Sequence, residues 1–268
     1  MKSAADILET NKRQRDFYNE VRQNFLTRCW ASVRNGLLQR IRKNTGISSQ
    51  VYELHTQWLG DLSDKKVLDL GCFAGNYLSK YMAERAKSYL GIDLSDVAIE
   101  KLRLRLADLP NARVEAIDFL SPDFTEDGFD IIYAYGVLHH FENTELIIAH
   151  LQKRLAPGGE IISYDPMQTS WPVKLLRTLY RPFQSDADWE WPFNKKTVRA
   201  YETAFLVQER RGLLGKSKWL ALLNLLPFSN ALVHKLGTRW HQQDWERSSV
   251  SDAALFRCMH ITMRLQKR

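Results

Sequence analysis

The sequence predicts an α/β protein with a doubly wound, mostly parallel sheet and helices on both faces. Residues 67–75 read V-L-D-L-G-C-F-A-G, a short apolar strand that runs into a glycine-containing loop. From residue 65 to residue 166, strand-like and helix-like patterns alternate, which is typical of parallel strands joined by helices. The strand runs are largely apolar, as expected of a parallel sheet that is covered on both sides.

Two helices are expected before the first strand. Apolar residues recur at three- and four-residue spacing from Phe17 to Ile41, within a helix predicted over residues 6–43. A second helix is predicted over residues 49–59. We expect residues 1–60 to form a helical lid, although the periodicity alone leaves an oligomer contact and a simple packing helix open.

Five strands and three helices are predicted within residues 61–166. The strands are residues 66–70, 88–93, 112–117, 129–135 and 160–164, and the helices begin near Asn76, Asp96 and Asn143. The last helix ends before Pro157, because proline cannot continue a helix, and Gly158 and Gly159 permit the reversal into the fifth strand. In such sheets ligands bind at the carboxyl ends of the strands.

The remaining residues, 167–268, are expected to complete the sheet and to cap the ligand site. Residues 167–194 are rich in Trp, Pro and Phe and are predicted to form a long structured loop. Residues 203–211 and 259–265 are predicted to be strands, and residues 213–236 a leucine-rich helical stretch broken at Pro227.

Composition and charge restrict the classes of function. The net charge of +7 is distributed as +5 in residues 1–60, −7 in residues 61–194 and +9 in residues 195–268. Basic flanks suit a lipid surface, nucleic acid or an acidic substrate, or else form a solvated charged face. No apolar run reaches the roughly 18 residues that suggest a membrane span. The N-terminus lacks the apolar centre of a secretory signal.

The cysteines and histidines argue against two further classes of site. Three scattered cysteines, Cys29, Cys72 and Cys258, do not suggest a disulfide framework, so we expect a reduced, cytoplasmic protein. The histidines outside the pair at positions 139 and 140 show no metal-ligand spacing with cysteines or acids, so we expect no metal.

Five segments occur in a fixed order along the chain. They are V-L-D-L-G-C-F-A-G (67–75), G-I-D-L-S (91–95), I-D-F-L (117–120), F-D-I-I-Y-A-Y-G-V-L-H-H-F (129–141) and L-A-P-G-G-E (155–160). In this order and spacing they resemble the motifs of the class I S-adenosylmethionine-dependent methyltransferases. The resemblance covers roughly residues 65–166 and implies a Rossmann-like, seven-stranded sheet that binds S-adenosyl-L-methionine.

The resemblance implies a set of cofactor-binding residues. Asp93 ends the second strand, where its carboxylate is expected to accept hydrogen bonds from both ribose hydroxyls. Asp118 is expected to contact the adenine amino group, with a turn-forming or helix-capping role as the alternative. Asp69 is expected either to face the methionine ammonium or to bind loop amides. The other expected contacts are Gly71, Cys72, Phe73, Gly75, Leu94, Phe119 and Tyr135.

Phe73 departs from the pattern of the resembled family, which often has glycine at this position. A left-handed backbone at Phe73 would cost about 1 kcal/mol or more. The sequence therefore leaves the conformation of this loop open, and the ring is a candidate to pack beside the cofactor.

Five residues are candidates for the acceptor side: Tyr18, Tyr135, His139, His140 and Asp165. Methyl transfer is an in-line displacement, so positioning of the nucleophile supplies much of the rate. Either histidine is suited to accept a proton from a hydroxyl near neutral pH. The alternative is that one imidazole binds the backbone while the other packs. Asp165 replaces the Glu found in a similar subfamily of small-molecule methyltransferases.

Two downstream segments leave alternatives open. Trp189, Trp191 and Phe193 either wall an apolar acceptor pocket or pin their loop onto the sheet. The cations at Lys216 and Lys218 flank the apolar residues of 213–236, which form either an interfacial segment on an anionic membrane or a packed cap. Both interpretations of 213–236 favour a large or lipophilic acceptor.

The sequence predicts O-methylation of a small or amphiphilic metabolite, such as a natural product, a quinone or a lipid-like acceptor. The alternatives are a nucleic-acid or protein methyltransferase that uses the basic flanks, and a non-catalytic S-adenosylmethionine-binding protein. Nucleic acid is disfavoured because no Asn-Pro-Pro-aromatic segment follows the fourth strand and no separate RNA-binding motif is visible. A dinucleotide oxidoreductase would need G-x-G-x-x-G after the first strand, which is absent.

Overall fold

The computed structural model describes residues 4–20, 46–181, 189–223 and 230–268, together with Gly36. The helices are α1 Ala4–Glu20, α2 Ile47–Leu59, α3 Tyr77–Arg85, α4 Asp96–Arg105, α5 Thr144–Arg154, α6 Trp171–Tyr180, α7 Lys195–Ala204, α8 Leu220–Leu223, α9 Asn230–Val250 and α10 Asp252–Leu255. The strands are β1 Lys66–Leu70, β2 Ser88–Asp93, β3 Ala112–Ala116, β4 Phe129–Tyr135, β5 Leu155–Pro166, β6 Leu206–Leu213 and β7 His260–Gln266. Short 3-10 turns cover Leu138–His140 and Ser217–Trp219.

The strands form one seven-stranded sheet in the order β3-β2-β1-β4-β5-β7-β6. The first five are parallel to their neighbours, and β7 lies antiparallel between β5 and β6. In register, Leu68 of β1 lies beside Leu90 on one side and Ile132 on the other. The predicted mostly parallel, seven-stranded sheet is confirmed.

The sheet is covered on both faces because neighbouring strand residues point to opposite sides. Leu68 belongs to a core shared with α5 and α7, whereas Val67 belongs to a second core that includes residues of α2, α3 and α4. Both side chains are fully buried. This double burial explains why the strand sequences are almost continuously apolar.

Three segments differ from their predicted structure. The predicted loop 167–194 contains helix α6, whose Pro172 occupies the first turn, where a missing N–H is tolerated. Residues 203 and 204 end α7, and β6 extends to Leu213. Within residues 213–236, the end of β6 and a 3-10 turn precede α8, so the predicted helical stretch begins later than expected, and α9 begins at Asn230.

Parts of three predictions lie outside the described residues. Helix α1 covers the start of the predicted helix 6–43, and most of the remainder lies outside the description. Cys29 and Pro227 also lie outside it, whereas Cys72 and Cys258 are buried, free thiols. In the part of the chain that the structure describes, none of the helices combines the length and apolar character needed to cross a bilayer.

Candidate active site

The loop after β1 is fixed by backbone hydrogen bonds and by close packing. The N–H groups of Gly71 and Cys72 both donate to the carbonyl of Ile92, at 2.8 and 3.1 Å. Gly71 has φ +68°, and an added Cβ would lie 2.4 Å from a methyl of Val137. Only glycine therefore fits at Gly71, on both conformational and steric grounds.

Phe73 adopts the left-handed backbone that the resembled family often assigns to glycine. Its φ is +47°, and its side chain is 53% exposed. The N–H of Phe73 donates to Oδ2 of Asp93 at 3.0 Å, so the strained residue orients the carboxylate at the tip of β2. The expected conformational cost of about 1 kcal/mol therefore applies to this residue.

Asp93 is held by two backbone donors, one to each carboxylate oxygen. Phe73 donates to Oδ2, and the N–H of Ser95 donates to Oδ1 at 2.9 Å. Each oxygen retains a second lone pair that can accept a ribose hydroxyl. Ser95, through its own side chain, caps α4, so Asp93 is not the capping residue. Burial raises the pKa of the Asp93 carboxyl.

Asp118 follows β3 and contacts both its own turn and helix α1. Its Oδ1 accepts the N–H of Leu120 at 2.9 Å, as in the turn-forming role. Its Oδ2 accepts the side-chain amide of Asn11 at 2.7 Å. The carboxylate therefore already binds an N–H₂ donor, which is the type of group that an adenine amino group presents.

A cavity of about 330 Å³ lies between these two carboxylates. Its walls include Asp93 and Asp118 and several other predicted contacts: Gly71, Phe73, Leu94, Phe119 and Tyr135. Gly136 also lines it, and an added Cβ there would meet nothing within 4 Å. The volume lies in the range of small-molecule sites, so the residues fit a nucleoside-sized cofactor.

Three predicted cofactor residues do not line this cavity. The thiol of Cys72 is buried. Gly75 (φ +78°) allows close packing on α4, because an added Cβ would lie 2.6 Å from Leu102. Asp69 is fully buried and accepts the Tyr89 hydroxyl at 2.7 Å, and burial raises its pKa to about 6. This hydrogen bond joins Asp69 of β1 to Tyr89 of β2.

His139 and Asp165 form a buried pair on the acceptor side. Nδ1 of His139 lies 2.9 Å from Oδ1 of Asp165, which also accepts the backbone N–H of His139 at 3.1 Å. Oδ2 of Asp165 is buried without a hydrogen-bond partner in the described structure. Burial raises the pKa of Asp165 to about 7. An orphaned oxygen in an apolar site favours the neutral carboxyl.

His140 occupies the boundary between two cavities. A second cavity, of about 480 Å³, shares Asn11, His140 and Phe141 with the cofactor cavity. Nδ1 of His140 lies 2.7 Å from the carbonyl of Trp189. Since a carbonyl only accepts hydrogen bonds, this contact places a proton on Nδ1, and the neutral imidazole then has its acceptor lone pair on Nε2.

The aromatic residues after α6 both pin their segment and line the second cavity. The N–H of Trp191 donates to the carbonyl of His139 at 2.8 Å, and that of Phe193 to Pro166 at 2.9 Å. Trp191 and Phe193 also line the second cavity. The backbone hydrogen bonds thus hold the segment on the sheet while its rings line a cavity, and Trp189 contributes the carbonyl that binds His140.

Of the two tyrosines predicted on the acceptor side, the structure describes the side chain of Tyr135 and not that of Tyr18. Tyr135 lines the cofactor cavity and stacks between Tyr52 and Tyr164, with ring centroids 5.7 and 4.7 Å away. Tyr18 belongs to α1, but its side chain lies outside the described part of the structure.

Sequence reasoning missed the contribution of Asn11 and Gln14. Both lie on α1 and line the cofactor cavity, and Asn11 also lines the second cavity. Polar residues on an amphipathic helix look like a solvated face, so no motif marked them. A further pair, in which Asn19 accepts the Ser95 hydroxyl and donates to Asp96, also ties α1 to the edge of the site.

The strand order, the glycine loop and the paired carboxylates agree with those expected of a class I S-adenosylmethionine-dependent methyltransferase domain. Residues 68–161, about a third of the chain, match the family model described as a methyltransferase domain. The core of the chain is therefore a methyltransferase domain of this class, whose cofactor is S-adenosylmethionine.

Individual relatives resemble only part of the chain. A tRNA U34 carboxymethyltransferase of Pseudoalteromonas atlantica is 28% identical over 102 residues, which span 38% of this chain and 32% of that protein. A ubiquinone biosynthesis O-methyltransferase of Idiomarina loihiensis is 31% identical over 130 residues, which span 47% and 51%. The chain thus spans between about a third and a half of the curated relatives it matches.

Solved structures share the fold over a larger part of the chain. The N-methyltransferase NodS from Bradyrhizobium japonicum, in complex with S-adenosyl-L-homocysteine, has a TM-score of 0.52 and 16% identity, covering 82% of this chain and 86% of that chain. A geranyl diphosphate C-methyltransferase from Streptomyces coelicolor has a TM-score of 0.55 and 12% identity, covering 82% and 80%. At these identities the likeness establishes the fold.

Proposed function

We propose that the protein transfers a methyl group from S-adenosylmethionine to a hydroxyl oxygen of a small or amphiphilic, lipophilic metabolite. The observation that carries this proposal is the shared wall of two cavities. Asn11, His140 and Phe141 line both the cavity between Asp93 and Asp118 and the second cavity with its aromatic lining. Two ligands bound in these cavities would meet at His140.

In this proposal the three parts of the chain have different tasks. Residues 1–60 form a lid, of which α1 contributes Asn11 and Gln14 to the cofactor cavity. Residues 61–166 bind the cofactor, with Asp93 accepting the ribose hydroxyls and Asp118 the adenine amino group. Residues 167–268 complete the sheet and cap the acceptor, which explains why β6 and β7 follow the predicted core.

The bound cofactor would supply an electrophilic methyl group, so the protein must chiefly position the acceptor and take up its proton. Nε2 of His140 is the proposed proton acceptor, because the Trp189 carbonyl fixes the proton on Nδ1. His139 and Asp165 hold the 3-10 turn Leu138–His140 in place, since Asp165 binds both the backbone N–H and the imidazole of His139. Their proposed role is positioning.

The aromatic walls of the second cavity support an acceptor with substantial apolar surface. Trp191, Phe193 and Tyr201 line this space beside polar groups such as Gln168 and Asn194. Apolar walls with a few convergent polar groups are typical of small-molecule sites. A second candidate acceptor is RNA, which is favoured by the relatives named as tRNA-modifying enzymes and by the net charge of +9 in residues 195–268.

The test is transfer of a radiolabelled methyl group to separate pools of host lipids, soluble metabolites and total RNA. We expect label in a lipid-phase or metabolite product, as a methyl ether. An RNA-borne label would reject the proposed acceptor class. The Asp93→Ala variant should transfer no label, whereas Asp108→Ala, which removes an exposed carboxylate in the turn between α4 and β3, should transfer normally. Cofactor binding without transfer to any pool would indicate a non-catalytic binding protein.

A further inference from the structure

Helix α6 exposes an apolar stripe on its outer face. Trp171, Leu175 and Leu179 are 74%, 52% and 64% exposed. Their four-residue spacing places them on one side of the helix, whereas Val173 is buried and anchors the helix to the protein. Large apolar side chains in a contiguous exposed row are uncommon on a protein that only faces water.

Cations accompany this stripe. Residues 167–181 contain Lys174, Arg177 and Arg181 and no acidic residue. Lys174 and Arg181 are exposed, and Arg177 lies 3.8 Å from Glu190 in an ion pair that ties α6 to the segment carrying Trp191. The helix therefore carries exposed apolar side chains and exposed basic side chains together.

A basic groove continues from the N-terminal end of the stripe. It encloses about 530 Å³, and Trp171 belongs to both the stripe and the groove. Its other walls include Trp219 and four cations, Lys216, Lys218, Arg247 and Arg257. Trp219 is half exposed at the rim. Stripe and groove thus form one continuous surface that is joined at Trp171.

The acidic residue in this groove is engaged by the protein itself. Asp244 accepts the N–H groups of Lys216 and Ser217, at 2.6 and 2.8 Å, and the Ser217 hydroxyl at 2.7 Å. Lys218 donates to the Arg257 carbonyl at 2.7 Å and to Ser170, just before α6, at 3.2 Å. These contacts hold the groove against α6 and leave its outward charge positive.

We propose that stripe and groove are a docking surface for an anionic phospholipid bilayer. The leucines at helical spacing suit the apolar layer of such a bilayer, and the tryptophans at the rim suit its interface. The adjacent lysines and arginines suit its anionic headgroups. A soluble phosphate or RNA would engage the cations but would leave the leucines in water. This surface is separate from the proposed methyl transfer, and it would bring the acceptor side of the molecule close to membrane-dissolved compounds.

The test is flotation of the full chain with two kinds of vesicles, phosphatidylcholine alone and phosphatidylcholine mixed with phosphatidylglycerol. We expect flotation with the mixed vesicles and little with phosphatidylcholine alone. Leu175→Gln/Leu179→Gln should lower the bound fraction by at least about tenfold. Leu104→Gln is the matched control, because Leu104 is 71% exposed on α4, and it should float as the wild type does.

A second pair of variants tests the charge. The double variant Lys216→Gln/Arg257→Gln should weaken binding to the mixed vesicles by about tenfold. The control Lys101→Gln/Lys153→Gln removes two exposed cations outside the groove and should bind as the wild type does. Cofactor affinity measured by calorimetry on every variant establishes that the fold is retained and separates this proposal from the proposed enzyme activity. The membrane proposal would be overturned if the wild type did not float with the mixed vesicles, or if Leu175→Gln/Leu179→Gln floated as well as the wild type. Binding of RNA instead of vesicles would also overturn it.

Discussion

The cavity between Asp93 and Asp118 and the second cavity share a wall at His140, but the polar groups around them are held in different ways. Around Asp93 the donors are backbone N–H groups two and twenty residues away along the chain. On the acceptor side, His139 meets Asp165 across 26 residues, and His140 meets the Trp189 carbonyl across 49 residues. Asp93 is thus oriented by backbone N–H groups, whereas His139 and His140 are oriented by oxygen atoms of Asp165 and Trp189.

This difference predicts how each side responds to change. A backbone framework is sensitive to the conformational limits of single residues, and side-chain identity matters mainly at the two carboxylates. A framework of buried side chains from distant segments is sensitive to protonation and packing. Four substitutions test this contrast.

Gly71→Ala should lower the free energy of unfolding by about 4 kcal/mol, because it combines left-handed strain with a collision against Val137. Gly128→Ala is the matched control, since Gly128 has φ +70° and an added Cβ would meet nothing within 4 Å. It should cost only about 1–2 kcal/mol. Urea denaturation measures both, and equal losses would show that the close approach to Val137 is unimportant.

Asp165→Asn should flatten the dependence of stability on pH. Burial raises the pKa of Asp165 from 3.8 to about 7, so the folded protein binds this proton more tightly than the unfolded chain does. The stabilisation is complete below pH 3.8 and is lost as the pH rises towards 7. The wild type should therefore lose on the order of 3 kcal/mol between about pH 5 and pH 8 that the variant does not lose. Parallel unfolding curves at all pH values would contradict the buried neutral carboxyl.

Asp93→Ala should weaken S-adenosylmethionine binding by about 100-fold, because two oriented acceptors are lost from the cavity. Trp191→Ala, on the acceptor side, should change this affinity less than about twofold, since its contact is with the backbone of His139 and the second cavity. Titration calorimetry compares the two variants directly. Similar losses would mean that the two cavities are not separable.

Phe73→Gly should stabilise the protein by about 0.5 kcal/mol, which is the small difference between relief of left-handed strain and the added freedom of the unfolded chain. Phe73→Ala keeps the strained Cβ and removes the same half-exposed ring, so it isolates the backbone effect. Thermal unfolding of the three proteins should rank glycine first. An alanine variant as stable as the glycine variant would show that φ at this position carries no cost.

The same contrast explains what the sequence predicted. Strand β2 and the position of Asp93 follow from a short apolar run that ends in a polar residue, and the structure places them as predicted. Helix α6 was missed because its Pro172 and aromatic neighbours look like a loop, although proline suits a first helical turn. The hydrogen bond from Asn11 to Asp118 spans 107 residues, and no local pattern encodes a contact at that separation.

That hydrogen bond places one side chain of α1 at both cavities. The amide of Asn11 occupies Asp118, and the same side chain forms part of the wall between the cavities. A nucleobase amino group bound at Asp118 would share the carboxylate with this amide, because each carboxylate oxygen can accept two hydrogen bonds. Ligands in either cavity would thus lie against the same side chain of one seventeen-residue helix.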